Sequence, residues 1–202
     1  MRLILCLEHY WHAGSGAGRG GHLDAVVRRD NLGLPLLPGR SLKGLLRDAV
    51  QRANDFGWFG DVGGDPATVL FGTPPQTLSV DETQPGLLRF SDATLPDDFR
   101  AAMAHLRVTD EARCTALVNG LFREMFSTAM EEDSGVARKH SLRGIEVAVP
   151  CQLHATVEAL GASSLAMPWQ QIIDVARPLM RAVGAQRHRG YGRVAMAWEQ
   201  VA

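Results

Sequence analysis

"LPGRSLKGLLRDAV", residues 37–50, decides how the rest of the chain is read. Pro38 and Gly39 set a turn, Ser41 is placed to cap free backbone amides, and Leu42, Leu45 and Leu46 recur at helical spacing. The pattern predicts an amphipathic helix from Ser41 to about residue 53. Its first turns carry Arg40, Lys43 and Arg47 and no acid before Asp48, so a cationic face is expected beside the positive helix start, turned to solvent, to an acidic neighbour or to a phosphate chain.

Outward from that helix, "RLILCLEHYWHA" reads as an opening strand, followed by the glycine-rich "GSGAGRGGH" and a short β-like run, "LDAVVRRD". Beyond the helix lies an irregular Gly/Asp/Pro stretch that contains the small apolar anchor "VLFG", and then "GLLRFSDATLP", a strand ended by Pro96. Residues 103–144 fit helix and loop equally well. "IEVAVPCQLHATVEAL" has the alternation of a long strand bent at Pro150, and "PWQQIIDVARPLMRAV" reads as a second helix that Pro178 kinks or stops. "RVAMAWEQVA" is a closing strand. Strand, helix, strands, helix, strand is the order of an α+β, ferredoxin-like β-α-β-β-α-β domain with long loop or hairpin insertions.

The 202 residues are 46% apolar, enough for one substantial core, so a single domain over 1–202 is expected. The formal net charge of −1 speaks against indiscriminate nucleic-acid binding, but the charge is segregated. Residues 19–52 hold seven basic residues against three acids, residues 177–193 hold five against none, and residues 55–98 hold eight acids and one Arg. One basic and one acidic surface follow, which suits a subunit that grips a polyanion and docks on basic partners. Cys6, Cys114 and Cys151 are too scattered for a CxxC metal pair and odd in number, so a reduced, cytoplasmic setting is expected, and no stretch is long enough to span a bilayer.

Gly16, Gly18 and Gly21 satisfy GxGxxG, but the segment after them is too short and too β-branched for the helix a dinucleotide site requires. His9 and His12 point to opposite faces of a strand, whereas His22 and Asp24, at i and i+2, share one. One imidazole and one carboxylate make an incomplete metal site that substrate phosphate oxygens would have to complete around a hard cation. In "GAQRHRGYGRV", Gly184, Gly190 and Gly192 permit close backbone approach while Arg187, His188 and Arg189 supply donors, together a cradle for a phosphodiester chain. The helix cations and this loop are expected to flank one groove.

The ordered set "LPGRSLKGLLRDAV", "VLFG", "RFSDATLP" and "VGAQRHRGYGRV" resembles the RAMP superfamily of CRISPR-associated proteins, over about residues 14–194. Members carry a "PGSSLKGxLR"-like helix start, an "LFG" element, an "xFSDA" strand and a terminal "GxxxxxGxGR" loop. Within it, "GGHLDAVVRRDNLGLPLLPGRSLKGLLR" is similar to the repeated backbone subunit of type III effector complexes. That resemblance implies that Asp24 cuts target RNA with a divalent cation, Mg²⁺ or Mn²⁺, and that residues 125–145 form a thumb-like insertion. It implies guide-RNA contacts from His22, Arg40, Ser41, Lys43, Arg47, Arg138, Lys139, His140, Arg187, Arg189, Gly190, Gly192 and Arg193. The implied partners are guide RNA, complementary target RNA, other effector subunits and further copies of the chain along the guide. Val26 stands where the family often has Pro. Two alternatives stay open: a non-catalytic guide-binding scaffold, and a metal-independent guide-processing ribonuclease using His12, His140 or Lys139.

Overall fold

The computed structural model describes residues 1–73, 83–131, 133 and 135–199. Its centre is a four-stranded antiparallel sheet built from β1 (Arg2–Leu7), β2 (Leu88–Phe90), β5 (Cys151–Ala159) and β6 (Val194–Trp198), in the order β2-β5-β1-β6. Period-two alternation gives the sheet one apolar face: Leu3, Leu5 and Leu7 on β1, Leu153, Ala155 and Val157 on β5, and Val194 and Met196 on β6 are buried. Two helices share that core, α1 (Gly39–Asp55) through Leu42, Leu46, Ala49, Val50 and Ala53, and α5 (Trp169–Ala176) through Ile172, Ile173 and Ala176. Helix α1 joins β1 to β2 and α5 joins β5 to β6, which is the ferredoxin-like arrangement expected from the element order.

The additions are a short helix, α2 (Pro66–Phe71), and a large insertion between β2 and β5. The insertion holds α3 (Asp97–Thr109), α4 (Glu111–Gly120) and a separate two-stranded hairpin of β3 (Phe122–Ser127) and β4 (Arg143–Ala148). The stretch whose sequence fits helix and loop equally well thus holds most of α3, all of α4 and β3, and the connection that leads into β4. No helix among the described residues is long and apolar enough to cross a membrane.

Three expectations need correction. The opening strand stops at Leu7, because Trp11 leaves the main sheet and exchanges backbone hydrogen bonds with Ala148 at the end of β4, at 3.1 and 2.8 Å. "LDAVVRRD" is no strand: Ala25, Val27 and Arg29 make isolated bridges to three different segments. The strand expected to bend at Pro150 is broken there, its first half pairing with β3 and its second with β1 and β2.

The start of α1 also differs from expectation. The helix begins at Gly39, and Ser41 makes no capping bond. Instead the Gly39 amide donates to Asp92 Oδ1 at 2.7 Å, so a carboxylate from the segment after β2 holds the helix start. A Cβ on Gly39 would stand 2.5 Å from the Ser91 carbonyl oxygen, which explains the glycine.

Candidate functional site

The late glycine loop is folded back on the chain that follows β1. Gly184, Gly190 and Gly192 all have positive φ, at +79, +84 and +70°. The Ala185 amide donates to the His12 carbonyl and the Gly192 amide to the Tyr10 carbonyl, both at 2.8 Å. A side chain on Gly192 would collide with the Val183 carbonyl. Between these anchors a single 3₁₀ turn, Arg187–Arg189, stands exposed. Arg187 and Arg193 line a hollow of about 800 Å³ with Arg177, Arg181 and Tyr191, although Arg193 is also paired with Glu8 at 2.9 Å.

The α1 cations stand elsewhere. Lys43 Nζ donates to the Leu88 carbonyl of β2 at 3.0 Å, and burial, with Arg47 nearby, lowers its pKa. Arg40 and Lys43 border a separate hollow against Phe71, Gly72 and Arg89. The residues of α1 that do share a hollow with Arg187 and His188 are Leu45, Asp48 and Arg52. The expectation that one groove is flanked by both sets of cations is therefore corrected: α1 starts beside β2 at one edge of the sheet, and the late loop leads into β6 at the other. Ser41 is exposed on α1, and Arg47 is half-buried beside Lys43.

The third group surrounds the root of the β3–β4 hairpin. Asp24 is exposed, its amide donates to the Gly144 carbonyl at 2.8 Å, and its Oδ2 accepts from the Gly144 amide at 2.9 Å. One carboxylate oxygen is fixed, and the other has no hydrogen-bond partner among the described residues. His22 Nε2 donates to Glu124 Oε2 at 2.8 Å, and the His22 ring meets the Phe126 ring edge-on, centroids 5.4 Å apart. Gly144 is the pivot, since a Cβ there would lie 2.6 Å from the His22 carbonyl oxygen and 2.8 Å from the Phe126 ring. The early glycine loop closes over the same segment, with Gly18 set so that a Cβ would stand 2.7 Å from the Leu23 carbonyl oxygen. Arg138, Lys139 and His140 are exposed at the far end of the hairpin, where Ser141 Oγ donates to the Arg138 carbonyl at 2.7 Å.

Beneath Asp24 lies a network that sequence reasoning missed. Glu146 is 2% exposed. It accepts from Arg29 at 2.7 Å, from Arg19 at 3.3 Å and from the Val27 amide at 3.0 Å. The Arg29 guanidinium lies over the Phe122 ring, 3.7 Å from its centroid. His12 Nδ1 donates to the Glu146 carbonyl at 2.6 Å and is 5% exposed, so this imidazole is tied into the same buried network. The late loop, His12, Glu146, Asp24 and the hairpin are thus one continuous assembly, whereas Arg40 and Lys43 are not part of it. Glu124 and Phe126, two residues apart on one strand face, would have been legible had β3 been recognised as a strand.

Among the described residues no group of three or more His, Cys, Asp or Glu side chains could hold a metal ion. Cys151 is unsuited to nucleophilic work, since burial pushes its thiol up to about 11.

A family model described as the RAMP superfamily matches residues 5–195. A sequence search of curated proteins finds no match. Among solved structures, a chain of Type III-B Cmr-beta in the apo state, solved by cryo-EM, superposes with a TM-score of 0.63 at 11% identity, over 98% of this chain and 96% of that one. A chain of Type III-B Cmr-beta bound to cognate target RNA gives 0.65 at 12% identity with the same coverage. At these identities the likeness is one of fold.

Proposed function

The chain belongs to the RAMP superfamily, and from that premise we propose that it binds guide RNA as a backbone subunit of a type III CRISPR effector complex and cuts guide-paired target RNA at Asp24. The observation that carries this reading is the state of the Asp24 carboxylate: exposed, pinned through one oxygen to the root of a projecting hairpin, and open at the other. Copies stack along the guide beside other effector subunits, and guide–target pairing supplies specificity while the protein grips backbone. Arg187, Arg189, Arg138 and Lys139 are exposed and suited to phosphates; Arg40 and Arg47 on α1 would meet a different stretch of the strand.

The hairpin acts as the thumb that extrudes one nucleotide of the target. The 2′-hydroxyl of that nucleotide then attacks the adjoining phosphate in line: an O2′–P bond forms as the hydroxyl gives its proton to solvent, the P–O5′ bond breaks, O5′ takes up a proton from solvent, and a 2′,3′-cyclic phosphate and a 5′-hydroxyl result. Asp24, fixed by Gly144, orients the attacking hydroxyl with its free oxygen. A lone carboxylate fits a divalent cation only in company with RNA phosphate oxygens, which is the usual pattern for Mg²⁺; when bound, such an ion offsets charge on the reacting phosphate.

The test is Asp24→Ala and Asp24→Asn in the assembled complex. Cutting should fall at least about 100-fold, as for loss of a group acting at the reacting centre, with guide binding unchanged. Cutting at the wild-type rate overturns the assignment. The hydrogen bond from Gly144 to Asp24 favours a second reading, a scaffold in which Asp24 only secures the hairpin; loss of guide binding in both variants would support it.

A further inference from the structure

We propose that Phe126 and His22 form a base-binding platform that receives the extruded target nucleobase beside Asp24. This rests on the cleavage reading above and adds to it a site for the base itself. Phe126 is 48% exposed at the outer part of β3, although Phe122 on the same strand face is buried at 7%. An aromatic ring left in water at a defined place asks for a flat partner. Its position is fixed from both sides: it lies over Gly144, where no side chain intervenes, and it meets the edge of the His22 ring. The His22 ring is held in turn by Glu124, while its side chain remains 63% exposed. Asp24 is bonded to the same Gly144, so a base stacked on this pair brings its sugar and phosphate to the carboxylate. Arg143 is exposed next to Gly144, without a partner among the described residues, and suits the flanking phosphate.

The competing surfaces fit less well. The outward face of the main sheet, where RNA-recognition domains place stacking rings, presents Ile4, Cys6, Gln152, His154, Ala195 and Ala197 in this chain, with no Phe, Tyr or Trp among them. The exposed pair Phe56 and Trp58 follows α1, and Phe56 lines the hollow shared by Arg52, Arg181 and Arg187, which does not include Asp24, so a base stacked there would not bring its phosphate to the carboxylate.

The experiment uses the assembled complex with targets carrying adenine, 2-aminopurine or an abasic nucleotide at the extruded position, and the variants Phe126→Leu and His22→Ala. On the adenine target Phe126→Leu should slow cutting by about 5- to 100-fold, the worth of one base stacked on one ring. The wild type should slow equally on the abasic target, and the two losses should not add. In an Asp24→Asn background, 2-aminopurine emission should be quenched with Phe126 present and restored by Phe126→Leu. An abasic target cut as fast as the adenine target, or emission indifferent to Phe126, overturns the platform. Impaired assembly with emission unchanged also overturns it and marks Phe126 as a protein contact. If no variant and no wild type cuts while quenching still depends on Phe126, the platform stands and the cleavage reading alone fails.

Discussion

Asp92 shows how a single residue fixes the geometry of an entire helix. The RFSDA segment delivers its carboxylate to the Gly39 amide at 2.7 Å, and Gly39 has room only because it lacks a Cβ. The two sequence signatures are therefore one structural contact, a carboxylate answering the positive end of α1. By its charge that place should attract phosphate, but an acid of the chain's own already fills it. Asp92→Ala should lower stability by about 1 kcal/mol, the usual worth of an N-terminal cap, and Asp92→Asn should recover part of it; thermal unfolding of the three proteins measures both. Nothing at Ser41 should change on substitution to Ala beyond a few tenths of a kcal/mol, within the ordinary range of exposed positions.

At the scale of an element, the hairpin and the loop that bears Asp24 are held together by one buried acid. Glu146 binds Arg19, Arg29 and the Val27 amide, while Asp24, three residues before Val27, binds Gly144, two residues before Glu146. Removing this buried carboxylate leaves the largely covered Arg29 guanidinium and the buried Val27 amide without their acceptor, at a cost of about 3 kcal/mol. Glu146→Ala should therefore raise amide hydrogen exchange in residues 22–29 and 143–147 and leave β1 and β5 protected; uniform loss of protection would show that the hairpin does not open as a separate unit. This network was illegible in the sequence for a physical reason. An isolated Glu in "GIEVAVP" looks like any strand residue with its side chain in water, and only the packing of Phe122, Arg29 and the 19–29 segment turns it inward. The late glycine loop was legible because positive φ at Gly184, Gly190 and Gly192 restricts which residue can stand there.

For the whole molecule, the β-α-β-β-α-β order could be read from periodicity because β1, β5, α1 and α5 each bury one regular face. The hairpin could not, since β3 presents only Phe122 fully to the core. Charge segregation was legible, but its use was not. Of the basic residues in 19–52, Arg19 and Arg29 serve Glu146, Arg52 pairs with Asp48, and Lys43 is bound to Leu88, which leaves the side chains of Arg28, Arg40 and Arg47 without a hydrogen-bond or ion-pair partner among the described residues. In the late segment Arg177 and Arg193 are paired, while the side chains of Arg187 and Arg189 are unpaired among the described residues. Replacing both Arg187 and Arg189 by Ala should weaken guide binding and reduce the slope of log K against log salt by about 0.7 for each phosphate that is no longer neutralised; filter binding across a salt series gives the slope directly. An unchanged slope would place the guide elsewhere.

Only Val149 and Pro150 separate the end of β4 from the start of β5. A joint that short, stiffened by a proline ring, leaves little slack. Any load on the tip of the projecting arm is transmitted as torque to β5, which is laced to both β1 and β2. The arm is thus mounted on a strand held along both edges, and the joint itself contributes little give.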